Sequence, residues 1–482
     1  MLMDMRRTAP LSAPRWSMVL LTVGLLAAIP GQVRAVDATT EPAPTAAPTA
    51  PPLAPEAPVP SPETAPVPVP VLVPPPTGPT ALDASVSFSG RGFGHGVGMS
   101  QYGARGRALD GQPAEAILAQ YYRSAVPGSI PIDTRIRVRV LKDFAATPIK
   151  PLLLYARADA WAIDGVEGTF PKDARVRVTP TTTTSDGVTQ TTWRLRITDP
   201  AGIVLRSAAT MSFTMRGVSP ETRLQVWSRP STYDTYLGLL QVVLHAVKPR
   251  ANVVNELPLE SYLRGVVPAE MPSAWPAEAL KAQAITARSY AARRLRPGVS
   301  WYDVADDATS QVYLGARAAR PTTDAAIAAT AGVVLMDGPI AANTLFHSGG
   351  GGATEDNENV YVSSTGAKVA RAVAYLRGSL DRRPDGTPYD SASPFTNWST
   401  KAYTLDQVSA MFAADPRTNV GSLTALDLQR RGVSGRLISV TLIGSLGTKQ
   451  VSGDVFRSVF NARRPVGDPM LRSTLFDTKP LP

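Results

Sequence analysis

The sequence predicts an α+β fold, rich in β-structure, with one central alanine-rich buried helix behind a disordered proline-rich linker. Three observations carry this. Several segments alternate apolar and polar residues with period two, the mark of a half-buried strand. The segment 276–296, PAEALKAQAITARSYAARRLR, is bounded by helix start and stop signals. Residues 36–83, which include PAPTAAPTAPPLAPEAPVP, hold prolines too densely to donate to any ladder.

In chain order, Arg6, Arg7 and Arg15 precede an apolar run from Met18 to Ile29, and Val33-Arg34-Ala35 offers small-residue cleavage chemistry. Residues 1–35 therefore read as a secretory signal, with a retained anchor as the other reading. The run falls short of the ~20 residues needed to span a bilayer. Residues 36–83 are expected to form an extended spacer at ~3.1 Å per residue. The folded body is expected over 84–482, divided into 84–145 (a glycine-rich signature and strands), 146–235 (a β-rich insertion) and 236–482 (the catalytic core). Strands are expected at 86–88, 135–141 (RIRVRVL), 192–197 (TWRLRI) and 241–247 (QVVLHAV). Asp186-Gly187 reads as a hairpin turn. In the C-terminal part a helix is expected at 405–413 and a strand at 437–442.

The helix after Pro276 has Glu278 in its first turn, arginines 293, 294 and 296 at its end, and Pro297-Gly298 beyond. Its many alanines leave little bulk, so neighbouring backbone must approach closely. It reads as a buried spine.

The chain has 482 residues, a formal charge of +10 and no cysteine. Disulfides, thiolate zinc sites and cysteine nucleophiles are excluded. Residues 1–35 carry Arg6, Arg7, Arg15 and Arg34 against Asp4, so about +7 remains without them. A basic exported protein meets anionic wall polymers and membrane surfaces rather than nucleic acid; a merely solvated basic surface is the other reading. No H-E-x-x-H, paired C-x-x-C or G-x-S-x-G occurs. No metal and no cofactor is expected.

Two stretches invite chemistry. Glu270 lies among Val266, Val267, Pro268, Met271, Pro272 and Trp275. A carboxyl held by stiff apolar backbone is desolvated and its pKa rises. A rise of about two units keeps much of it protonated near neutrality, ready to act as an acid. A glutamate capping backbone is the alternative. The stretch GRGFGHGVGMSQYGARG, residues 90–106, repeats glycine at every second position from 90 to 98 around His95. It lacks the G-x-G-x-x-G spacing of a dinucleotide loop. His95 is either a polar group offered to a ligand or the pin of a glycine-rich turn.

Residues 257–292, LPLESYLRGVVPAEMPSAWPAEALKAQAITARSYAA, resemble the central motif of the SpoIID/LytB family of bacterial cell-wall proteins. DVADDATSQVYLG (303–315), LFHSGGGGATEDNENV (345–360) and LRSTLFD (471–477) resemble later blocks of that family, and GRGFGHGVGMSQYGA resembles its GHGVGMSQ signature. In the family that signature follows the last strand; here it precedes everything else. The two chain ends are therefore expected to meet, with the glycine loop packed beside Glu270.

The resemblance implies an exported cell-envelope protein that cuts peptidoglycan glycan strands by lytic transglycosylation, with Glu270 as the single general acid. It implies sugar contacts from His95, Gly94, Gly96, Gln101, Gln283, Arg288, Gln311, Tyr313 and Ser348. Gln283 and Arg288 read equally as groups satisfying buried backbone. Glu256, Glu260 and Glu355 are weaker carboxylate candidates. His245 reads as a strand histidine, and His347 borders the site or sits in an inert turn. Family members that bind zinc do so through cysteines, absent here. The alternative function is a non-catalytic glycan-binding enhancer of a partner cell-wall amidase.

Overall fold

The computed structural model describes residues 76–481. The expected signal and most of the expected linker lie outside the described residues. The first described strand, Thr80–Ala81, falls within the stretch read as linker and pairs with Leu423–Asp427.

Two six-stranded sheets build the larger core. One runs, in spatial order, Val304–Ala305, Arg135–Ala145, Arg250–Pro258, Leu239–Leu244, Phe213–Gly217, Trp161–Ile163. The other runs Val204–Thr210, Val188–Thr198, Arg175–Ser185, Leu152–Ala156, Leu224–Gln225, Thr235–Tyr236. Alternation places Ile136, Val138 and Val140 of the first sheet and Val176, Val178, Leu195 and Ile197 of the second in one cluster. Residues 146–235 are thus β-rich, but they complete the same core as the strands on either side of them. The Arg175–Ser185 and Val188–Thr198 hairpin turns at Asp186-Gly187, both with positive φ (53° and 77°), the type I′ geometry that this dipeptide favours.

Four helices matter for the site: α1 (Gln101–Leu109), α2 (Ala114–Tyr121), α3 (Leu259–Glu270) and α4 (Ala277–Ala292). The region 84–145 therefore holds two helices besides its strands. Helix α4 is the expected spine: it is buried almost continuously from Ala279 to Ala291. Pro276, expected at its first position, sits instead at its N-cap, so the helix begins one residue later, at Ala277. One face of α4 joins the two-sheet core through Ala284, Ala287 and Ala291. Another packs with α1, α2, Val97 and Met99.

The C-terminal region has its own cluster, with helices at Leu405–Ala413 and Gly453–Arg463 over a sheet that includes Leu423–Asp427 and Ser439–Gly444. Phe88 enters it from the other end of the chain, edge-on to Phe456, Phe460 and Phe476 at 5.7, 5.4 and 5.5 Å. Next to it, Ser89–Gly90 forms the middle strand between Trp398–Ser399 and Phe476–Asp477. The two ends of the described chain meet in one sheet.

Candidate active site

Glu270 is the last residue of α3. The chain leaves it in extended conformation at Met271, so the carboxyl stands where helix gives way to the Pro272–Pro276 connection. Its Oε1 accepts the Val312 N–H at 3.0 Å. Burial pushes its pKa up to about 7, and the Val312 hydrogen bond opposes the rise only in part. Near neutrality the group is therefore present in both protonation states, the condition for a general acid that later acts as a base.

Its backbone carbonyl, freed by the helix end, accepts Gln101 Nε2 at 3.0 Å across a separation of 169 residues. Gln101 also donates to Gln283 Oε1 of α4 at 3.4 Å. Gln311 Oε1 accepts the Tyr262 hydroxyl at 3.2 Å, one residue from the Val312 N–H that holds the carboxylate. The Nε2 atoms of Gln283 and Gln311 are buried without a protein partner. The structure thus gathers Gln101, Gln283 and Gln311 around Glu270.

The glycine signature is placed by packing. Met99–Ser100 runs parallel to Phe346–His347, and Ser100 caps α1 by accepting the Gly103 N–H. Gly94 and Gly96 were expected to offer open backbone to a sugar. Both have positive φ, and the direction a Cβ would take is filled by protein. At Gly96 it would lie 2.4 Å from the Arg436 guanidinium. At Gly98 it would lie 1.9 Å from the Leu345 carbonyl oxygen. These glycines let the loop seat against residues 345–352 and Arg436. His95 pins that loop: its Nδ1 accepts the Val97 N–H at 3.1 Å, and the ring also bonds the backbone of Phe346. Burial, with the Arg436 charge second, lowers its pKa to about 4, so the ring is neutral. It faces His347 and Tyr361, with ring centroids 5.5 and 6.4 Å away.

Several other expected site residues make structural contacts. Arg288 is wholly buried and grips Glu260 with two 2.8 Å hydrogen bonds, while also donating to the Val333 carbonyl. This clamp ties α4 to α3 and leaves the Arg288 side chain no face for sugar. Tyr313 is a core ring that donates to Asn255 Oδ1 at 2.8 Å and packs 5.0 Å from Tyr262. Ser348 accepts the Tyr102 N–H through its carbonyl. Glu355 accepts from Val433, Ser434 and Asn359, and Glu256 from Arg135 and Gln241. His347 Nδ1 meets the Val97 carbonyl and His245 Nε2 meets Asn252.

Two residues beside the carboxyl, Tyr262 and Tyr290, escaped the sequence reading, as did Arg294, which lies against Tyr290. Both phenols are held above the ordinary range, chiefly by burial and in addition by the Glu270 charge. The Arg294 guanidinium stacks 3.2 Å over the Tyr290 ring. A readable signal existed, since Tyr290 lies seven residues after Gln283 and Arg294 four beyond that, one stripe of a helix. Among the described residues no group of three or more His, Asp or Glu could hold a metal ion. A cavity of about 40 Å³ between Arg223, Leu237, Ser261 and Arg264 does not include Glu270, and it has room for water rather than a sugar.

Residues 248–336, from just before the strand Arg250–Pro258 into a strand at Val333–Asp337, match the SpoIID family model, described as stage II sporulation protein. This region is similar to SpoIID. The matched SpoIID residues include Glu270, Gln283 and Gln311, whereas the glycine signature and the last strand lie outside the match. An uncharacterised protein of Brachyspira hyodysenteriae is 30% identical over 202 residues, 39% of this chain and 51% of its own. The amidase enhancer of Bacillus subtilis is 28% identical over 194 residues, 39% of this chain and 26% of its own. The similarity thus spans about half of one relative and a quarter of the other.

Proposed function

We propose that this protein acts on the bacterial cell wall, cutting peptidoglycan glycan strands by lytic transglycosylation with Glu270 as the sole acid and base. The observation that carries the reading is one carboxyl, raised to about 7 and held by a single backbone N–H, within the region similar to SpoIID. Protonated Glu270 donates to the glycosidic oxygen, and the bond from that oxygen to the anomeric carbon breaks. The substrate's acetamido group stabilises the cationic carbon. The carboxylate then takes the proton of the same sugar's 6-hydroxyl as that oxygen attacks, closing a 1,6-anhydro ring. The proton returns to Glu270 and no water is consumed, so no second carboxylate is required. Export to the cell envelope fits the apolar run at 18–29 and the basic charge.

The name of the Bacillus subtilis relative supports a second reading, a glycan-binding enhancer of a partner amidase. One experiment separates them. Purified peptidoglycan is digested with wild type and with Glu270→Gln, and anhydro-sugar ends are measured by mass spectrometry. Catalysis predicts release by wild type and a loss of at least ~100-fold in the variant, with glycan binding kept. Equal release would overturn the assignment to Glu270. Binding without release by wild type would favour the enhancer.

A further inference from the structure

The outer face of the second sheet has a composition that folding does not explain. Its six strands contain no aspartate or glutamate. Strict alternation turns Val176, Val178, Leu195 and Ile197 inward and Arg175, Arg177, Arg194 and Arg196 outward. Register sets Arg196 directly opposite Arg177, and Tyr155 opposite Arg175. Like charges directly opposite across a ladder cost stability. Arg175, Arg194 and Arg196 are exposed and make no ion pair among the described residues, while Arg177 donates only to the Pro148 carbonyl.

An aromatic platform continues the face. Tyr155 meets Trp227 edge-on at 5.9 Å, and Trp227 is 55% exposed. The Arg157 guanidinium lies 3.9 Å over Tyr155 and is held there by Asp173 and Gln225. The platform is organised before any ligand arrives.

We propose that this face is a second binding surface for the peptidoglycan strand, built from residues other than those around Glu270. It rests on the reading that the protein works on wall glycan. Exposed arginines in adjacent rows suit a polymer bearing carboxylates at intervals, as stem peptides do. Exposed aromatic rings suit the apolar faces of sugar rings. A bilayer is a poorer occupant, because the arginine rows are interleaved with threonines, including Thr179, Thr181 and Thr192, and the exposed Val204 and Leu205 lie on the edge strand rather than among them. The surface would keep the protein on the wall while a strand is threaded to Glu270.

The test is pelleting of the full chain with purified peptidoglycan freed of phosphate-bearing polymers, across a salt series. The variants are Arg175→Thr/Arg194→Thr/Arg196→Thr, all exposed and replaced by a strand former, and Trp227→Ala. The triple variant should bind at least ~10-fold more weakly and lose most of the salt dependence. Trp227→Ala should bind a few-fold more weakly with its salt dependence intact. Amidating the carboxylates of the wall should weaken wild type as the triple variant does, which needs no variant to fold. Cleavage of a short soluble glycan should be unchanged. Wild-type pelleting by the triple variant would overturn the proposal, as would a loss confined to anionic vesicles or to walls that still carry phosphate polymers. If Glu270→Gln releases anhydro-sugar normally while pelleting still depends on the arginines, the surface stands and the catalytic reading falls.

Discussion

At the scale of the residue, Glu270 has a carboxyl whose folded pKa of about 7 lies above its ordinary 4.5. The folded state therefore holds this proton more tightly than the unfolded chain does. That stabilisation is complete below pH 4.5 and is lost as pH rises through 7. Glu270→Gln keeps the shape and removes the charge. At pH 8 it is expected to melt above wild type, by at most about 3 kcal/mol, and the two should converge at pH 4. Thermal unfolding of both proteins across this range checks it, and an unchanged gap would show the carboxylate to be well solvated. Local pattern pointed to a desolvated Glu270, because prolines and apolar neighbours flank it, but left a capping role open, and only the family resemblance made it the acid. The resemblance was not enough for Arg288 and Tyr313. A motif assigns an identity to a position but does not say which way the side chain points. Here the partners are Glu260 and Asn255, 28 and 58 residues away in sequence.

At the scale of the element, the glycine signature shows what backbone freedom is for. Every second residue from Gly92 to Gly98 has positive φ, and non-glycine residues rarely adopt that conformation. Gly96→Val would combine this strain with a Cβ 2.4 Å from the buried Arg436 guanidinium. It is expected to cost about 2–4 kcal/mol of stability and to lower melting temperature more than glycan affinity. Denaturant unfolding beside a binding titration decides it; weakened binding at unchanged stability would return the loop to the ligand. Helix α4 was legible because proline, acidic first turn and basic end agreed with its alanine run. Helix α3 was not. Pro268 interrupts its last turn and disguises a helix that tertiary packing of Tyr262, Leu263, Val266 and Val267 imposes.

At the scale of the whole molecule, residues near the start of the described chain are structural parts of its end. Phe88 is fully buried against three phenylalanines, two from the helix Gly453–Arg463 and one from Phe476–Asp477. Phe88→Ala removes the ring from that cluster and is expected to cost about 3–5 kcal/mol. A loss under about 1 kcal/mol in equilibrium unfolding would mean that the N-terminal segment is only draped over the fold. By itself the sequence determined what depends on neighbours a few residues away: the period-two strands, the Asp186-Gly187 turn, the alanine spine and the desolvated setting of Glu270. It also pointed to the meeting of the chain ends through the displaced signature. Only the tertiary structure decided which residues face Glu270. That choice is made by contacts over 42 to 169 residues, Val312 to its carboxylate and Gln101 to its carbonyl. Such contacts follow from how the sheets and helices pack, and packing direction is not written in the local order of side chains.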